Sequence, residues 1–62
     1  MIIHVYHRES DGVYHADFGP EPGPLSHWHS RGEQSRELVV EAAKALLSAV
    51  GESVDGVEDH EV

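Results

Sequence analysis

The sequence predicts an α+β fold: an antiparallel three-stranded sheet followed by one amphipathic helix (βββα), with a short fourth strand possible after it. Three observations predict this. Two stretches of alternating character flank Asp11-Gly12. A Pro- and Gly-rich break, Gly19-Pro20-Glu21-Pro22-Gly23-Pro24, follows them. A later stretch repeats apolar residues at three- and four-residue spacing, from Leu38 to Val50.

Ile2 to His7 reads as the first strand, because Ile3 and Val5 alternate with His4 and Tyr6 and because β-branched and aromatic residues suit a pleated surface. Asp11-Gly12 suits the positive φ angles of a tight hairpin turn. Val13 to Phe18 is then the second strand. With Asp11 and Gly12 as a two-residue loop, Ser10 pairs with Val13, His7 with Ala16 and Val5 with Phe18. Cross-strand partners share a face. One face then carries Ile3, Val5, His7, Tyr14, Ala16 and Phe18. The other carries His4, Tyr6, Arg8, Val13, His15 and Asp17. The first face is the more apolar and is expected to meet the core.

Three prolines in the five residues from Pro20 to Pro24 fix φ and remove amide donors, which makes a stiff connection. Leu25 to His29 reads as a short third strand, with Trp28 facing one way and His27 and His29 the other. Ser30-Arg31-Gly32-Glu33 fits a capping box, and Ser35 is a later alternative N-cap. The helix runs to about Val50. Leu38, Val39, Ala42, Ala43, Leu46, Leu47 and Val50 form its apolar stripe, and Gly51 is the expected C-terminal cap. The stripe has to cover something, and the apolar sheet face is the available surface. Residues 1–51 thus form the folded domain. Residues 52–62 form an acidic tail, either a short strand near Val57 or disordered.

The chain has 62 residues and no cysteine. A single domain of this size buries only about 60% of its unfolded surface and is marginal alone. Disulfides and cysteine-ligated zinc are excluded, which leaves self-association as the leading added stabiliser. The missing cysteines fit a cytoplasmic address. Met1-Ile2-Ile3-His4 has no basic segment ahead of a long apolar one, so no secretory signal is expected. No apolar run approaches the roughly 18 residues of a membrane span.

Acidic residues outnumber basic ones by 12 to 4, and the formal net charge is −8. Such a surface repels phosphate backbones and anionic membranes and favours a basic protein partner. The plain alternative is that the charge serves solubility alone. Arg8, Arg31, Arg36 and Lys44 are too dispersed for an RNA-binding face. There is no Gly-rich phosphate loop, and Ser26-His27 and His29-Ser30 are strand neighbours that point to opposite faces, so no serine–histidine pair forms. An enzyme is not expected, and no cofactor is implied.

The six histidines are the unusual feature of the composition. His27-Trp28-His29 places two imidazoles on one strand face, and His15 lies on the polar face of the hairpin. Imidazole is a common ligand for zinc, nickel and copper. His27, His29 and His15 are therefore the candidate metal ligands, against the plainer reading of solvated or interface histidines. Trp28 is either an interface anchor or a completing piece of the core. Glu37, Glu41, Trp28 and Tyr6 are the candidate partner-binding residues.

Asp11-Gly12-Val13-Tyr14-His15-Ala16-Asp17-Phe18 resembles the second strand of HicB-like antitoxins. Pro20-Glu21-Pro22-Gly23 is similar to the loop that follows there, shorter by one residue. Ser35-Arg36-Glu37-Leu38-Val39-Val40-Glu41-Ala42-Ala43-Lys44-Ala45-Leu46-Leu47 resembles the helix. The resemblance covers roughly residues 2 to 50. It implies a partial ribonuclease-H-like fold with three strands before the helix, homodimers or tetramers, and the task of binding and neutralising a small basic toxin. No helix-turn-helix or ribbon-helix-helix segment follows, so direct DNA binding is not expected. Two other functions fit the composition: a phage-type inhibitor that mimics nucleic-acid charge, and a histidine-based metal-binding protein.

Overall fold

A computed structural model describes residues 1–19, 23 and 25–61. The expected stiff connection at Pro20-Glu21-Pro22 and Pro24 lies outside the described residues, as does Val62. The chain folds as β1 (Ile2–Arg8), β2 (Val13–Asp17), α1 (Arg36–Val50) and β3 (Gly56–Glu61). The strands form one sheet in the order β2-β1-β3. β1 and β2 are antiparallel, whereas β1 and β3 are parallel. The fold is thus α+β with one helix, but the sheet is mixed and not fully antiparallel.

The hairpin register differs from the expected one by two residues. Val5 pairs with Ala16, His7 with Tyr14 and Arg8 with Val13. The loop therefore holds four residues, Glu9 to Gly12, closed by the Gly12 amide donating to the Arg8 carbonyl at 2.8 Å. Asp11 still directs the turn, because its carboxylate accepts the Val13 amide at 3.1 Å. Gly12 adopts the expected positive φ of 71°. A shift of two residues leaves every side chain on its face, since the face alternates with period two. Ile3, Val5, Ala16 and Phe18 accordingly enter the core together.

The expected third strand at Leu25 to His29 is not one. Leu25 to His27 form turns, in which the Ser26 amide donates to the Gly23 carbonyl and the Trp28 amide to the Leu25 carbonyl. The next stretch runs along the outer edge of β2 instead. His29 bridges Asp17 and Glu33 bridges Tyr14, both antiparallel. Ser30 fills the gap between these bridges. Its amide donates to the Ala16 carbonyl at 2.8 Å, and its Oγ accepts the Ala16 amide at 2.8 Å. The capping-box expectation fails for the same reason: Ser30 and Glu33 are spent on β2, and the helix begins six residues beyond Ser30. Ser35 occupies the N-cap position in extended conformation, without a side-chain capping bond.

Helix α1 ends at Gly51, whose φ of 77° closes the last turn with bonds to Leu47 and Ser48 carbonyls. Val39, Val40, Ala43 and Leu47 are buried against Ile3, Val5, Ala16 and Phe18. Met1, Tyr14, Leu25, Trp28, Leu46 and Val57 pack around this core in part. The helix is rotated from the expected stripe. Leu38 and Val50 are 49% and 51% exposed, and Val40 takes their place. The 52–62 segment supplies β3, held by its full register against β1. Arg36 at the start of α1 ties the middle of β3 to the helix through a two-pronged bond to Asp59, at 2.7 and 3.0 Å. No helix among the described residues is long and apolar enough to cross a membrane.

Candidate functional site

One helix covers one face of the sheet, so the period-two alternation sends half of every strand to the opposite, open face, which no helix or strand among the described residues covers. The registers put His4 and Tyr6 of β1 beside Asp17 and His15 of β2 on one side. On the other side they put them beside Glu58 and His60 of β3. These rings form a continuous row. His15 stacks on Tyr6 with centroids 5.3 Å apart, Tyr6 on His60 at 4.7 Å, and His60 on His4 at 5.2 Å. His4, Tyr6, His15 and His60 are all half-buried, each shielded by its neighbours in the row.

The row has a carboxylate on each flank. Partial burial raises the Tyr6 phenol above its ordinary pKa, and the nearby charges of Asp17 and then Glu58 add to the effect. The Asp17 carboxylate also accepts the Gly19 amide at 2.9 Å and folds the chain back over His4. Gly19 lies so close there that a Cβ would meet His4 Nε2 at 2.8 Å. One edge of the His4 ring is thus pressed on backbone. Its other nitrogen, Nδ1, lies 3.0 Å from His60 Nε2. Glu58 completes this corner: His4, Glu58 and His60 each offer a ligand atom within 4.8 Å of the others.

Among the described residues this is the one group of three or more potential metal ligands brought together. His15 stands in the row, on the far side of Tyr6 from His60. His27 and His29 are exposed on the segment beside β2, and His29 directs Nδ1 to its neighbour's carbonyl, that of Ser30. The three expected ligands are therefore not gathered into one group. Of the expected partner-binding residues, Tyr6 sits at the centre of the open face, and Glu37 and Glu41 are exposed on α1. Trp28 is half-buried and packs on Phe18, with centroids 5.1 Å apart. Sequence reasoning missed Glu58 and His60, because it gave the tail no pairing partner. The signal was there in Glu58-Asp59-His60, whose alternate residues must share a face in any strand.

The arginines do little to offset the acidic field. Arg8 pairs with Asp11, Arg31 with Glu33 and Arg36 with Asp59. Chemically, the open face offers a row of ring edges bordered by carboxylates, a setting that attracts a cationic side chain by charge and hydrogen bonding. Comparison with protein-family models, curated proteins and solved structures finds no match to this chain.

Proposed function

We propose that this chain is a small acidic protein-binding module that captures a basic protein partner, in the manner of a HicB-like antitoxin. The observation that carries the reading is the open sheet face, where Tyr6 lies in a stacked ring row between Asp17 and Glu58. An arginine of the partner is drawn to such a row by the carboxylates at its rim. The field around it has the matching sign, with a net charge of −8. Glu37 and Glu41 extend that field over the exposed side of α1. The family part of the reading rests on the sequence resemblance over roughly residues 2 to 50. Self-association belongs to the same proposal, and β3 supports it as an edge strand of the described sheet.

The test is co-expression with candidate small basic proteins, any encoded beside this chain being tried first, followed by purification at rising salt. A stoichiometric complex is expected, weakened by salt, by Tyr6→Ala and by the Glu37→Gln/Glu41→Gln pair. Failure to form a complex, or a complex indifferent to salt and to all three substitutions, would remove the proposal.

A further inference from the structure

We infer that His4, Glu58 and His60 form a binding site for a divalent cation of the zinc class, one that clips β3 to β1. The inference rests on the geometry of this corner alone and holds whether or not the open face binds a protein. Two imidazoles and one carboxylate are a common zinc donor set, with about 2.0–2.2 Å from metal to each ligand atom. Two nitrogens sharing a tetrahedral ion at those bond lengths stand about 3.3 Å apart. His4 Nδ1 and His60 Nε2 stand 3.0 Å apart, and the Glu58 carboxylate is within 4.8 Å of both. A neutral imidazole pair sharing one proton accounts for the two nitrogens. It does not use the Glu58 carboxylate, which offers a third ligand atom within 4.8 Å of one from each histidine.

The scaffold suits a ligand set. Glu58 pairs with His4 across the parallel ladder, and His60 lies two residues along on the same face. The donors therefore come from neighbouring strands of a hydrogen-bonded sheet, which hold their spacing. Outer contacts orient the rings: Gly19 backbone against the Nε2 edge of His4, and the Tyr6 ring on His60. Three protein donors leave a fourth tetrahedral position for water.

The position in the chain gives the site an energetic role. His4 and His60 are 56 residues apart in sequence. A clip between them closes nearly the whole chain into a loop, where a cross-link removes the most entropy from the unfolded state. A 62-residue domain without cysteine has no disulfide to do this.

The experiment titrates Zn²⁺ into the metal-free full chain, with affinity read by competition against a chromophoric chelator and Co²⁺ used as a spectroscopic stand-in. One ion per chain is expected, with the absorption of a tetrahedral cobalt site and a raised Tm. Outer-shell partners alone are worth roughly 10–100-fold in affinity, so His60→Ala and His4→Ala should each weaken binding by more than about 100-fold. Glu58→Gln, at an exposed position, tests the carboxylate without endangering the fold and should cost about tenfold or more. The His27→Ala/His29→Ala double variant should bind as the parent does. The site is overturned if the parent binds no Zn²⁺ at micromolar concentration. It is equally overturned if binding follows His27 and His29, or if Glu58→Gln leaves affinity and the cobalt spectrum unchanged.

Discussion

Truncating Leu47 to alanine tests the placement of α1 directly, because the same substitution at Leu38 serves as its control. Both residues lie on one helix, so the change in helix propensity is nearly the same at each site. They differ in surroundings: Leu47 is fully buried against the sheet, whereas Leu38 is 49% exposed. A buried Leu→Ala change costs about 2–5 kcal/mol, the transfer term plus the cavity left behind. A domain of this size is stable by about 3–9 kcal/mol, at roughly 0.05–0.15 kcal/mol per residue. Leu47→Ala should therefore remove a large share of the stability, and Leu38→Ala under about 1 kcal/mol. Urea unfolding, followed by far-UV circular dichroism and by Trp28 fluorescence, reads the difference. With a slope of about 1 kcal/mol per M for a small domain, the Leu47→Ala midpoint should fall by about 2 M or more. Equal losses at the two leucines, or a Leu47→Ala loss below about 1 kcal/mol, would mean that α1 presents a different face to the sheet.

Ser30→Ala should cost about 1–3 kcal/mol in the same assay, because it strips the buried Ala16 amide of the Oγ that accepts it; a neutral substitution would show that the β2 edge is closed some other way. Gly51→Ala should cost about 1 kcal/mol, since a φ of 77° strains any L side chain although a Cβ would meet nothing within 4 Å. The Arg36 guanidinium, by hydrogen bond and then by charge, holds the Asp59 carboxyl below the usual aspartate range. The pair thus stabilises the fold above the unfolded aspartate value of about 3.9, and this contribution is lost as pH falls through the lower folded value. Asp59→Asn should flatten that part of the acid limb of the urea midpoint against pH, and an unchanged limb would remove the pair from the account.

Much of the hairpin was legible because the sequence specifies parity more firmly than register. Asp11-Gly12 announces a turn but not its length, and the four-residue loop moves each pair by two without exchanging faces. The end of α1 was legible in Gly51, where a positive φ is needed. Its start was not. Ser30 and Glu33 have the identities of a capping box, and pairing with the edge of β2 claims both. The helix face was ambiguous because Ala42, Ala45 and Ala49 lengthen the apolar pattern around the cylinder. Only packing on the sheet chooses Val40 over Leu38. β3 was hardest to read. A strand at a sheet edge with one open face needs few apolar residues, and Val57 is the one that reaches the core. With β3 unplaced, the histidine pattern pointed to His27, His29 and His15, and the corner made by His4, Glu58 and His60 could not be assembled.

The central strand ties the architecture to the chemistry. Odd positions of β1 build the core, with Ile3 and Val5 under α1. Even positions build the open face, with His4 and Tyr6 in the ring row. β1 is paired on both edges, so its backbone donors and acceptors are committed to two ladders of opposite sense. A one-residue slip would carry Ile3 and Val5 into water and His4 and Tyr6 beneath the helix. The hydrophobic cost of exposing the core residues therefore also fixes the geometry of the ring row. In a chain this short, the same burial that makes the domain fold holds the rims of the open face, Asp17 on β2 and Glu58 on β3, at a set distance from Tyr6.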